Sequence, residues 1–110
     1  MGGPKSNEKY IQRYPLGVDM HKQGLDVHVA GGHINNHWSK RIRTEISDTI
    51  ELELCESRLG GEFTWIVYDY YSPTQAKTRE SKKCPAKYKD IGAKLVDAFD
   101  EIFYDGQPLN

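Results

Sequence analysis

Apolar and polar residues alternate with period two near the start of the chain, a pattern that predicts strands with one buried face. The first predicted hairpin has three alternating apolar residues on each side of a turn at 21–24: Leu16, Val18, Met20, Leu25, Val27 and Val29. Pairing Met20 with Leu25 makes one face of the hairpin uniformly apolar. The same register places Asp19 opposite Asp26 on the other face.

A second hairpin follows a turn predicted at 31–36. Its strands run from about His37 to Ile46 and from Ile50 onward, joined by the loop 47–49. Pairing Ile46 with Ile50 also matches the residues before and after them by polarity and charge. The resulting pairs are Thr44 with Leu52, Ile42 with Leu54, Arg43 with Glu53, and Lys40 with Glu56.

A fifth strand is predicted over 63–71, after a turn at 58–62, because aromatic and β-branched residues are concentrated there. Both of its faces are apolar, with Phe63, Trp65 and Val67 on one and Ile66, Tyr68 and Tyr70 on the other. Each face therefore needs cover. A C-terminal helix is expected on one face, and the N-terminal segment or a second subunit on the other, so a homodimer is predicted.

The segment 72–84 has no periodic apolar residues and is predicted to be an exposed basic loop. A helix is predicted over 85–105, from Pro85 to a stop at Gly106. Its apolar stripe recurs at steps of three and four and consists of Tyr88, Ile91, Leu95, Phe99, Ile102 and Phe103.

These elements predict one α+β domain over 15–105, in which a five-stranded antiparallel β-meander carries the C-terminal amphipathic helix on one face. Residues 1–14 are predicted to be a tail or a short helix, and 106–110 a C-terminal tail. The chain has 110 residues, 37% hydrophobic and 28% charged, which suits one folded domain with one core.

The sequence contains no apolar run long enough to span a bilayer, and its polar start lacks the apolar region of a secretory signal. A cytoplasmic protein without membrane contact is therefore expected. The two cysteines, Cys55 and Cys84, are too few for a disulfide framework and are predicted to be free thiols. Lys82 and Lys83 beside Cys84 favour a lowered thiol pKa.

A metal site is one hypothesis, because all four histidines lie between positions 21 and 37. The candidate ligands are Asp19, Asp26, His28, His33 and His37. Two opposed carboxylates repel, and a transition metal bound by imidazole and carboxylate would relieve the repulsion and support a metal-dependent enzyme. The alternative is an exposed charge ladder in which Arg41 neutralises Asp26 without a metal.

A nucleic-acid site is a second hypothesis, and it uses the basic residues Lys77, Arg79, Lys82, Lys83, Lys87 and Lys89. With Glu80 they give 77–89 a net charge of +5, so the rest of the chain carries −6 within a total of −1. A mobile basic loop beside Lys40, Arg41 and Arg43 would follow a phosphate backbone, while Trp38, Tyr70 and Tyr71 stack on bases. The pI of about 6.4 argues against this function.

The predicted helix has four lysines at its N-terminal end and four acidic residues at its C-terminal end: Lys82, Lys83, Lys87 and Lys89, and Asp97, Asp100, Glu101 and Asp105. Both groups oppose the helix macrodipole. Two antiparallel helices across a dimer axis would match the opposite charges, which is a second indication of a homodimer.

No nucleotide-binding, zinc-protease, hydrolase or EF-hand motif occurs in the sequence, so no catalytic residue and no cofactor is assigned. The first functional hypothesis is a noncatalytic binding module for a small apolar ligand or a protein partner. An apolar pocket between sheet and helix would hold the small ligand. The predicted contact surface consists of Trp38, Phe63, Trp65, Val67, Tyr68 and Tyr70.

Overall fold

The fold is an antiparallel sheet of six strands, which lie side by side in chain order, followed by a helix. The computed structural model describes residues 17–34, 37–57 and 61–104. The strands are β1 (Val18–Lys22), β2 (Leu25–Ile34), β3 (His37–Glu45), β4 (Ile50–Ser57), β5 (Phe63–Ser72) and β6 (Gln75–Ser81). A 3₁₀ turn, Ala86–Tyr88, leads into helix α1, Lys89–Phe103.

The sixth strand corrects the prediction of five strands and of a loop over 72–84. β6 pairs with β5 in an antiparallel register that places Trp65 opposite Ser81 and Val67 opposite Arg79. Almost all of β6 is exposed, so its residues show no apolar alternation. The strand forms because it extends the hydrogen-bonded ladder of β5, which the apolar pattern does not reveal.

The first hairpin has the predicted faces and a different register. Gln23 (φ +57°) and Gly24 (φ +77°) form a two-residue turn with both residues in the left-handed region, as a type I′ turn requires. Met20 therefore pairs with Val27 rather than with Leu25. A two-residue shift keeps every side chain on its face, so the apolar face survives while the opposed pairs change.

The register predicted for the second hairpin is confirmed. Ile42 pairs with Leu54 and Arg43 with Glu53, and the amide of Ile46 donates to the carbonyl of Ile50 at 2.7 Å. The turn predicted at 31–36 is wrong in part, because 31–34 belong to β2 and pair with β3. Alternating neighbours of suitable polarity on both sides made the β3–β4 register predictable.

The core lies between α1 and one face of the sheet, as predicted. Its buried residues are Val27, Val29, Ile42, Leu52, Leu54, Trp65, Val67, Leu95, Ala98, Phe99, Ile102 and Phe103. The buried hydroxyl of Thr44 donates to the carbonyl oxygen of Asp26 at 2.8 Å, so a polar group within this layer is satisfied. Among the residues that the structure describes, neither the 3₁₀ turn nor α1 has the length and apolar character to cross a membrane.

The acidic C-terminal end of α1 has partners within the same chain. Lys22 Nζ lies 3.8 Å from Glu101, and the side-chain amide of Gln23 donates to Glu101 at 3.4 Å. The β1–β2 turn therefore reaches Glu101, one of the acidic residues that the dimer hypothesis paired with a second helix. The N-terminal helix predicted within 1–14 and the stop at Gly106 lie outside the described residues.

Candidate binding surface on the open sheet face

The sheet face opposite α1, here called the open face, carries a charged and aromatic network at its centre. Its members alternate along β3, β4 and β5 with the core residues and comprise Arg41, Arg43, Glu51, Glu53, Tyr68 and Tyr70. This group is the Glu53 network. Because the pleat sends every second side chain to this face, three neighbouring strands bring these residues together.

Glu53 is the centre of the network and is only 1% exposed, although no described helix packs on this face. Its carboxylate accepts hydrogen bonds from Arg41 Nε at 2.9 Å, from Arg43 Nη2 at 2.8 Å and from the Tyr68 hydroxyl at 3.1 Å. A buried carboxylate is tolerated when its charge is paired and its oxygen lone pairs are used. Both conditions hold here.

Aromatic stacking covers the charged centre. The Arg43 guanidinium lies 4.0 Å from the centre of the Tyr68 ring, and the Tyr68 and Tyr70 rings stack with centroids 6.4 Å apart. The Tyr70 hydroxyl donates to Glu51 at 2.9 Å, and Arg43 Nη1 donates to Glu51 at 3.2 Å. These contacts hold every member except Arg41 by at least two neighbours, and Arg41 is held by two hydrogen bonds to Glu53, so the network is preorganised.

Burial and the charge of Glu53 shift the pKa values of the side chains that surround it. Burial lowers the pKa of Arg41 and of Arg43, but the hydrogen bond and negative charge of Glu53 outweigh it, so both pKa values are raised. Burial, followed by the charge of Glu53, raises the pKa of Tyr68. Both guanidiniums are therefore charged at neutral pH, and the Tyr68 phenol stays a proton donor.

An acidic groove of about 720 Å³ adjoins the Glu53 network on the β1–β3 side. Its ionisable lining residues are Asp19, His21, Asp26, His28, Arg43, Glu45 and Glu51. Glu45 and Glu51 are directly opposed across β3 and β4, an arrangement of like charges that a cationic group would relieve. No residue of α1 lines this groove.

The two aspartates of the metal hypothesis do not face each other. His28 Nδ1 lies 2.8 Å from Asp19, and His21 Nδ1 lies 2.9 Å from Asp26. The two-residue turn shifts the register so that each carboxylate meets an imidazole, which removes the predicted repulsion. Among the described residues, no three His, Cys, Asp or Glu side chains are grouped to hold a metal ion.

The remaining predicted metal ligands, His33 and His37, have side chains outside the described residues, as does Trp38 of the predicted ligand surface. The other members of that surface separate by face. Tyr68 and Tyr70 lie on the open face, within the Glu53 network.

Trp65 and Val67 were predicted to contact a ligand and are instead buried in the core at 7% and 8% exposure. Phe63 is 39% exposed on the helix side and meets Phe99 edge-on, with ring centroids 5.6 Å apart. Packing by α1 thus buries Trp65 and Val67 and leaves Phe63 partly exposed. The predicted pairing of Arg43 with Glu53 was the sequence feature that indicated which residues lie on the open face.

The six basic residues of the nucleic-acid hypothesis lie on β6, in the connection that follows it and at the start of α1. Lys77 and Arg79 share the helix side of β6, and Lys82, Lys83, Lys87 and Lys89 follow; all are exposed. The predicted proximity to Arg41 and Arg43 is wrong, because two strands lie between β3 and β6 and those arginines occupy the opposite face. Because 72–84 was predicted to be a loop, its residues could not be assigned to a face of the sheet.

Both cysteines are free and half-buried. Burial raises the pKa of the Cys84 thiol, contrary to the lowering expected from its lysine neighbours. Burial is also the largest effect on Cys55, whose pKa is raised despite the paired Arg41. Raised thiol pKa values disfavour the thiolate, the form that acts as a nucleophile.

Comparison of the chain with protein-family models, with curated proteins and with solved structures finds no match.

Proposed function

We propose that the chain is a noncatalytic binding module that uses its open face to hold a positively charged surface of a protein partner. The excess of carboxylates on that face carries the proposal. Its described strand residues include six carboxylates, two guanidiniums and two imidazoles: Asp19, Asp26, Glu45, Glu51, Glu53, Glu80, Arg41, Arg43, His21 and His28. With neutral histidines the face has a net charge of −4.

The composition of the Glu53 network supports a protein partner. Tyrosine and arginine are enriched in the residues that dominate protein interfaces, and here both are already held in place by hydrogen bonds. A preorganised contact loses less side-chain entropy on binding. The acidic groove beside it supplies the complementary charge for lysine and arginine side chains.

The small apolar ligand that was the other half of the hypothesis has less support. Two open cavities formed by the described residues border charged or hydroxyl-bearing residues, and no residue of α1 lines either of them, although the acidic groove also borders Met20, Leu25 and Val27. A homodimer through two open faces is also disfavoured, because it would bring two surfaces of the same negative charge together. A separate, positively charged partner fits this face best.

The experiment titrates ¹⁵N-labelled protein with a twelve-residue peptide of alternating Lys and Ser at low salt. We expect amide shifts to change around the acidic groove and binding to weaken as salt is added. Asp26→Asn with Glu45→Gln should lower affinity about tenfold, and Asp97→Asn with Asp100→Asn on α1 is the charge-matched control.

Equal loss of affinity in the two double variants would contradict the proposal, because the peptide would then follow total charge rather than the open face. Thermal unfolding of each variant separates a loss of binding from a loss of folding. A peptide that shifts no groove amide at millimolar concentration would also contradict it.

A further inference from the structure

The structure points to a second interaction surface, at the edge of the sheet and separate from the open face. We propose that the outer edge of β6, Gln75–Ser81, accepts an acidic, extended segment of another protein as an additional antiparallel strand.

The backbone of β6 supplies the first part of this inference. β6 ends the strand order and pairs on one side with β5, and no other strand in the described part of the chain lies beside it. The backbone N–H and C=O groups on its outer side are thus available to an added strand. The strand is seven residues long, within the usual length of strands in globular proteins.

The charge of β6 supplies the second part. Lys77 and Arg79 lie two positions apart and therefore on the same face. Asp69 lies opposite Lys77 on β5, but neither cation forms a side-chain ion pair among the described residues. Glu80 lies on the other face, opposite Ile66. An added strand with acidic residues at every second position would place its carboxylates beside Lys77 and Arg79.

Lys82 and Lys83 continue the positive charge past the end of the strand. Lys83 has no ion pair among the described residues, and Lys82 has only a long contact of 3.8 Å with the exposed Glu62. Lys77 and Arg79 on the strand, followed by Lys82 and Lys83 beyond its end, provide positive charge for several carboxylates.

A second copy of β6 is a poor occupant of this edge. An antiparallel two-fold pairing centred on Thr78 places Lys77 opposite Arg79, and centring it on either of those residues places like opposite like. Directly opposed like charges destabilise a strand pair. The charges of this edge therefore disfavour pairing with a second copy of β6 and favour a strand of opposite charge.

The phosphates of a nucleic acid would complement the positive charges of this edge, but they could not hydrogen-bond to its backbone as a β-strand does. A phosphate strand cannot complete the alternating donor and acceptor ladder of a β-strand. The chain outside 77–89 also carries a net charge of −6, which repels a long polyanion more than a short acidic peptide. The acidic peptide is thus the better occupant.

The test uses a fluorescein-labelled eight-residue peptide that alternates Glu and Thr, titrated into the full chain at low salt. We expect binding with amide shifts concentrated at 75–81 and slower hydrogen exchange of the outward amides of β6. The same peptide with alternate backbone nitrogens methylated keeps its charge and cannot form the ladder, so it should bind at least tenfold more weakly.

Lys77→Gln with Arg79→Gln should weaken binding about tenfold. Lys89→Gln with Lys94→Gln removes two exposed charges from α1 and should change it less than twofold. Equal binding of the methylated peptide would overturn the proposal. So would tighter binding of an eight-nucleotide single strand with the same dependence on Lys77 and Arg79, or light scattering that shows a dimer whose formation shifts the β6 amides.

Discussion

Glu53 shows at the scale of one residue how a charged side chain can be buried on a sheet face that no described helix covers. Its two arginines and Tyr68 reach it from β3 and β5 and surround the carboxylate. The pairing of Arg43 with Glu53 followed from the predicted register. The contacts of Arg41 and Tyr68 were not predicted, because they cross diagonally between strands and depend on side-chain rotamers.

Replacing Glu53 with Gln should destabilise the protein by about 2–4 kcal/mol, since it leaves two guanidiniums without the carboxylate that offsets their partial burial. Chemical denaturation at pH 7 measures the change. Glu45→Gln on the same face is the control, and because Glu45 is exposed its effect should stay below about 0.5 kcal/mol. Equal unfolding midpoints for the two variants would show that the Glu53 network does not stabilise the fold.

Tyr68 makes the stability of the protein depend on alkaline pH. Its pKa is raised in the folded protein by burial and by the charge of Glu53. The unfolded chain therefore loses the phenolic proton first as the pH passes about 10, and stability falls from that pH upward until the folded-state pKa is reached.

Tyr68→Phe should reduce the slope of stability against pH above 10, measured by urea unfolding between pH 8 and 11. Tyr71→Phe is the matched control, because Tyr71 is 64% exposed. The slope of stability against pH for this variant should equal that of the unaltered protein. A Tyr68→Phe protein with the same slope as the control would remove Tyr68 as the cause.

At the scale of elements, the periodic apolar residues predicted more of the fold than the residues at turns and sheet edges did. Strands β1 to β5 and helix α1 have apolar residues at the right period, and the sequence predicted their faces correctly. β6 was missed because neither of its faces is covered, and an edge strand of charged residues has the composition of a loop. The first turn was assigned four residues because Gln23 is an uncommon choice for the left-handed position it occupies.

The connection from β6 to α1 depends on a close approach between two residues. A Cβ on Gly92 would overlap the Cys84 sulfur and lie 3.5 Å from the Trp65 ring. Gly92→Ala should therefore destabilise the protein by about 1–3 kcal/mol, although alanine favours an isolated helix by about 1 kcal/mol.

Cys84→Ala removes the sulfur, so Gly92→Ala in that background should be neutral or stabilising. A double-mutant cycle of thermal unfolding measures this coupling. Ala93→Gly, at an exposed position of the same helix, calibrates the helix propensity. Equal effects of Gly92→Ala in both backgrounds would exclude the overlap with Cys84 as the cause.

At the scale of the whole molecule, a net charge of −1 conceals two surfaces of opposite sign. The open face collects carboxylates, while β6 and the start of α1 collect lysines and arginine. The +5 segment was recognised in the sequence. Its separation from Arg41 and Arg43 was not, because the faces of β6 exist only once β6 is known to be a strand.

The chain order of the sheet has a consequence during protein synthesis. Each strand pairs with the one before it, so the sheet can grow hairpin by hairpin as the chain leaves the ribosome. The helix that covers Val29, Ile42 and Leu52 follows all six strands. A nascent chain that has completed its sheet therefore displays an uncovered apolar layer until α1 emerges.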